Sequence, residues 1–302
     1  MSAFSTDSTQ TATSTPLTGI WLTVVRGAWI LITIISLATF ALFLRYANGY
    51  LRQIGDWRRA ALFMLGLSNT YYAGYYVTLM AIFVIIYVGV AVFIFWHKSD
   101  NRVALLISLA QVTFGVTGAI SIHPAIMSNV FRNTTPLSIL LLITSTLSNL
   151  FVLMSLLLFP DGRFVPDWTK WLAVIALIYS GSLLLRLNNL SPLLLSLLPV
   201  VFFGVGIYAQ MYRFFRTASP TQRQQTRLMV HGLRISIPLI LIVLYVIPQL
   251  VPLVRPPTIP AAALAYEMVG GLVFLSLLIV PLALMSSILR YHLWDSDAAN
   301  NG

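Results

Sequence analysis

Few residues of this chain are equipped for chemistry. Glu267 is the only acid inside any of its long apolar stretches. A carboxylate there has two readings: a charge at a membrane interface, near Arg255, or a coupling or ligand site. Tyr71 and Tyr72 precede another apolar stretch, and with Glu267 they mark a candidate ligand region on the outer side. Four histidines, His97, His123, His231 and His292, are spaced so that nothing brings two of them onto one metal or haem. Partly solvated positions near helix ends are expected for them. Arg223 and Arg227 stand four residues apart, after Ser219 suited to cap a helix and Pro220 suited to open one. Their shared face can grip anionic headgroups, pair with Asp161, Asp167 or Asp295, or dock a cytoplasmic partner. No phosphate-cradling glycine loop, paired carboxylate site or metalloprotease helix occurs. With no cysteine, disulfides and thiolate chemistry are excluded. The expectation is a protein without enzymatic activity, metal or cofactor.

The elements that carry these residues follow from composition. Of 302 residues, 58% are hydrophobic and 9% charged, against roughly 25% charged in soluble domains. A spanning helix needs about 20 mainly apolar residues. Runs of that kind lie at 21–44, 73–96, 103–122, 137–159, 171–187, 192–212, 229–254 and 262–289. The reading is an all-α, polytopic integral membrane helical bundle of about eight transmembrane helices over 20–297. Residues 1–19 read as a disordered polar leader, without the basic start of a signal peptide. Residues 298–302 read as a short tail.

Segment 45–72 mixes Arg52, Asp56, Arg58 and Arg59 with Leu51, Trp57 and Leu62. It reads as an outer-side amphipathic loop in which Leu51 to Leu67 suits a short interfacial helix, either a partly helical connector covering the bundle or a ligand-sensing lid. Prolines punctuate the later runs at Pro199, Pro238, Pro248 and Pro281. Each removes a helical hydrogen bond, giving either a hinge or an ordinary membrane kink whose freed carbonyl a neighbour takes up. Gly115 with Gly118, Gly204 with Gly206, and Gly270 with Gly271 permit close helix approach.

Orientation rests on basic residues. With both termini on one side, eleven Lys and Arg fall there and seven on the other, together the 18 in the chain. The positive-inside rule makes the richer side cytoplasmic, so both termini are expected there, in the inner (plasma) membrane. The net charge of +10 is thereby a topology signal and not a nucleic-acid one.

Four stretches, in order, resemble the multi-spanning N-terminal membrane sensor region of bacterial sensor histidine kinases. They are Ile94-Phe95-Trp96-His97-Lys98-Ser99-Asp100-Asn101-Arg102, Leu158-Phe159-Pro160-Asp161-Gly162-Arg163-Phe164-Val165-Pro166, Ser219-Pro220-Thr221-Gln222-Arg223-Gln224-Gln225-Thr226-Arg227 and Ile288-Leu289-Arg290-Tyr291-His292-Leu293-Trp294-Asp295-Ser296-Asp297. Ser296 stands where that family has isoleucine, and five residues follow Asp297 with no kinase domain. The resemblance implies the fold and a receptor-like or scaffold role through a partner. Contact residues for partner or headgroup would be Asp161, Arg163, Arg223, Arg227, Arg290, Trp294 and Asp295. Membrane lipids and a protein partner, either a signalling protein or subunits of a membrane complex, are expected. Two rival readings are an accessory subunit of a larger membrane complex and a permease or lipid-handling protein.

Overall fold

The computed structural model describes residues 18–53, 55–133, 135–185, 192–217 and 259–291, with isolated positions between 223 and 242. Helices build it, and no strand occurs among the described residues. In chain order they are α1 (Ile20–Arg52), α2 (Asp56–Met64), α3 (Asn69–Lys98), α4 (Arg102–Ser121), α5 (Pro124–Asn133), α6 (Thr135–Leu158), α7 (Thr169–Leu184) and α8 (Pro192–Tyr212). A π-helical turn, Arg213–Thr217, extends α8. After the next described break come α9 (Pro260–Phe274), a 3₁₀ turn (Leu275–Leu278) and α10 (Ile279–Tyr291).

Six helical stretches are long and apolar enough to cross a membrane: those of α1, α3, α4 and α6, Leu197–Thr217, and Pro260–Leu289. The protein is therefore an all-α, multi-pass membrane bundle. The apolar α7 is shorter, and most of the run 229–254 lies outside the described residues. So do 1–17 and the stretch from His292 onward, with Trp294 and Asp295.

The bundle is built around α4. Of its spanning window 78% is buried, while no other spanning helix exceeds 44%. Helices α1, α3 and α6 surround it, α7 and α8 pack on α6, and α9 and α10 pack on α3. Glycine permits the closest approach: a Cβ on Gly115 would meet the Tyr87 Cβ at 2.6 Å, and one on Gly118 would meet Phe83 at 2.8 Å. These glycines serve packing of α4 on α3 within the chain. Asn101 starts α4 by accepting from the N–H groups of Val103 and Ala104 at 2.9 and 3.1 Å. Ser68 caps α3 through the Tyr71 N–H at 3.1 Å.

The segment 45–72 contains a short helix, with the flanking helices reaching further into it than the apolar runs mark. Helix α1 runs on to Arg52, α2 occupies Asp56–Met64, and α3 already begins at Asn69. With 33 residues α1 is about 50 Å long, well beyond a hydrocarbon layer of about 30 Å. The apolar run ends at Arg45, and the helix continues past it. The α5 helix, unforeseen in the sequence, closes the same end between α4 and α6.

Two ends can now be distinguished. At the near end, where α1 starts, Arg26 donates to Ser99 Oγ at 2.6 and 3.0 Å, joining α1 to the α3–α4 turn. There Ile94, Val103, Phe159, Leu284 and Ile288 share one apolar cluster. At the far end Phe43, Leu51, Leu62, Tyr72, Ile126 and Leu264 share another.

Candidate functional site

Just inside the far end, a polar node joins four elements. Glu267 sits about two turns into α9. Arg58, on α2, donates to both of its carboxylate oxygens, at 3.1 and 3.2 Å. Nε2 of His123, between α4 and α5, lies 3.2 Å from Oε1 of Glu267 and 3.0 Å from the Tyr72 hydroxyl of α3. The rings of Tyr72, Tyr76 and His123 pack edge to face, with His123 4.8 Å from Tyr76. Arg58 also lies 4.6 Å from the centre of the Trp57 ring. Burial works against its charge, but the bonds to Glu267 outweigh that and hold the guanidinium above its ordinary pKa.

Glu267 and Tyr72 were both expected in a far-end ligand region, and His123 brings them together. Tyr71, expected beside them, is exposed. The partner of Glu267 is Arg58; Arg255 lies outside the described residues. His123 overturns the expectation of a solvated histidine. It is 2% exposed, and its Nδ1 is buried with no hydrogen-bond partner among the described residues. His97 and His231 are exposed and bond carbonyls one turn back, at Phe93 and Arg227.

Below the node, α3 holds the α9–α10 junction. The Tyr75 hydroxyl donates to the Met268 carbonyl at 2.5 Å, and the Tyr87 hydroxyl to the Leu277 carbonyl at 2.9 Å. Pro281 has no N–H to give the carbonyl four residues back, which is that of Leu277. Tyr87 supplies the missing donor. The Ser236 hydroxyl donates to the neighbouring Ser276 carbonyl at 2.7 Å, which also accepts the Ile279 N–H of the 3₁₀ turn. The carbonyl that the proline frees is thus met from α3, at the 3₁₀ turn between α9 and α10.

A second node lies at the near end. Arg213 is 5% exposed and pairs with Asp161 at 3.2 Å. It donates to the carbonyls of Leu157 at 3.0 Å, of Phe159 and of Arg163. Gln210 adds bonds to the Leu156 and Phe159 carbonyls. Those of Leu156 and Leu157 are carbonyls that the end of α6 leaves without helical donors. Gly162 turns the chain there with φ 76° and donates its N–H to Leu158 at 2.7 Å. In the sequence Arg213 counted only as a topology charge. Asp161 is one of several partners open to Arg223 and Arg227 in the sequence, and in the structure it pairs with Arg213. Arg223 donates to the Phe215 carbonyl at 3.0 Å, and Arg163 and Arg227 are exposed. The backbone of Arg290 lies within α10.

No family model, curated protein or solved structure matches this chain.

The two nodes differ in what they can do. Arg213 satisfies a helix end and fixes a turn. The far-end node joins a short amphipathic helix outside the apolar spans to a spanning helix through one ion pair. Displacing α2 would leave Glu267 with His123 alone and change the charge held at the mouth of the bundle.

Proposed function

We propose that this chain is a receptor-like membrane protein without enzymatic activity, which passes a change at its far end to a protein partner at its near end. The near end, with both termini, is cytoplasmic in this reading, and the membrane is the inner (plasma) membrane. One observation carries it: α2 is tied by Arg58 to Glu267 on α9, and α9 continues across the membrane into α10 through a 3₁₀ turn. A pull on α2 therefore acts on the helix whose other end reaches the near face. The turn at Leu275–Leu278 is where α9 and α10 can change their angle. The partner would meet the end of α10, the stretch of Arg290, Trp294 and Asp295. The resemblance of this stretch and of the near-end connectors to the membrane sensor region of histidine kinases supports the reading.

The test is a gentle-detergent pull-down of tagged wild type and of Glu267→Gln, with mass spectrometry and quantitation of what stays bound. The expected result is a signalling protein whose occupancy differs between the two forms. Membrane subunits in fixed stoichiometry, unchanged by the substitution, would overturn the reading in favour of an accessory subunit. Lipid alone would overturn it in favour of a lipid-handling protein.

A further inference from the structure

The near end carries exposed cations that no described carboxylate neutralises. Asp161 is committed to Arg213 at 3.2 Å. Arg163, one turn of chain away, is exposed, and its carbonyl is held by the same arginine. Arg216 is exposed on the π-helical turn that Arg213 begins. Arg223 folds back onto that turn through its bond to the Phe215 carbonyl. Lys170, at the start of α7, is exposed and lies 6.0 Å from the Trp171 ring. Asp167 is the other carboxylate of this connector and is itself exposed.

Apolar surface adjoins these charges. Trp168 and Trp171 are 49% and 64% exposed, as tryptophans at a headgroup layer are. Deeper along the same helices, Ile175 and Ile178 of α7 and Tyr208 of α8 are exposed. Cations at headgroup depth, with tryptophan beside them and apolar side chains below, match a molecule that has both a phosphate and acyl chains. An acidic peptide would use the charges alone.

We propose that this end of the bundle binds an anionic phospholipid of the surrounding bilayer, its phosphate held by Arg163, Lys170, Arg216 and Arg223 and its chains laid against α7 and α8. The bound lipid screens four cations that would otherwise repel one another, and so holds the 159–170 connector against the end of α8. The site is independent of the signalling reading.

The test uses the full chain purified in mild detergent. Lipid retention is read by native mass spectrometry, and thermal stabilisation is followed while phosphatidylglycerol or phosphatidylcholine is added. Phosphatidylglycerol should be retained and should stabilise, while phosphatidylcholine should do neither. Arg163→Gln with Arg216→Gln should weaken phosphatidylglycerol retention by about fivefold for each cation removed. Arg45→Gln with Arg132→Gln, exposed cations of the far end, should leave it unchanged. In wild type, added salt should release phosphatidylglycerol, which keeps the test decisive even if the double variant folds poorly. Equal retention of the two lipids, equal loss from both variant pairs, or the same stabilisation by inorganic phosphate would each overturn the proposal.

Discussion

A carboxylate two turns inside a membrane helix is costly unless it is paired, because hydrocarbon offers no water to solvate it. Glu267 meets this with Arg58 and His123, and the pair is only partly shielded, with side chains 26% and 20% exposed. Buried pairs that lose one partner cost about 3–5 kcal/mol, and exposed ones below about 1 kcal/mol. Glu267→Gln, which leaves Arg58 with a neutral acceptor, should therefore cost about 2 kcal/mol, between those limits. Arg58→Gln should cost a similar amount. The double variant should be less unstable than the sum by about 1–2 kcal/mol, read from thermal unfolding in detergent. Strict additivity would mean that the two side chains do not interact. Glu267 was legible in the sequence as the one acid in an apolar run. Its partners were not, since Arg58 stands 209 residues away and nothing in the local pattern links them. His123 carried even less signal, because a histidine after an apolar run reads as interfacial until the helices around it are placed.

At the scale of elements, the junction between α9 and α10 depends on donors from another helix. Pro281 frees the Leu277 carbonyl, and the Tyr87 hydroxyl takes it up at 2.9 Å. Tyr87→Phe keeps the ring and removes that donor from a half-buried carbonyl that the Ile279 N–H still reaches, at a cost of about 1 kcal/mol. It should lower the unfolding midpoint and loosen α10 relative to α3. Spin labels on single cysteines near Val88 and Leu289 would report the loosening as a broader distance distribution. An unchanged distribution and midpoint would show that the kink satisfies itself. The apolar runs located all six long spanning stretches, because burial in lipid requires about 20 apolar residues whatever the packing. They did not locate the helix ends outside the membrane. There α1 continues to Arg52 on propensity and packing, with Leu51 buried beside Leu62 of α2. Gln210 and Arg213 were equally hidden, since recruiting them to the end of α6 depends on where α8 finishes.

For the whole molecule, the remaining question is which end faces the cytoplasm. The starts of α1 and α4 and the end of α3 meet at Arg26 and Ser99, and the ends of α6 and α10 join them in the cluster around Phe159. The exposed tryptophans Trp21, Trp96, Trp168 and Trp171 lie at this near end, while α2, α5 and the Arg58–Glu267 pair lie at the other. Among the described residues Asp161 pairs with Arg213 at the near end, while at the far end Glu267 pairs with Arg58 and Asp56 lies 4.0 Å from Arg59. The larger count of Lys and Arg at the near end, eleven against seven, argues for a cytoplasmic near end. The chain has no cysteine, so single cysteines can report on this without background. Ala60→Cys on α2 and Asp100→Cys in the α3–α4 turn both replace exposed side chains. Losing Asp100 removes a near-end acid, so the substitution cannot weaken the basic surplus being tested. A membrane-impermeant maleimide applied to intact cells should label the Ala60→Cys variant at once. The Asp100→Cys variant should react only after permeabilisation. The reverse pattern would invert the bundle and move the Arg58–Glu267 node to the cytoplasmic side. Labelling of both in intact cells would mean that α2 and the α3–α4 turn share a face, which a 30-residue apolar α3 between them does not allow.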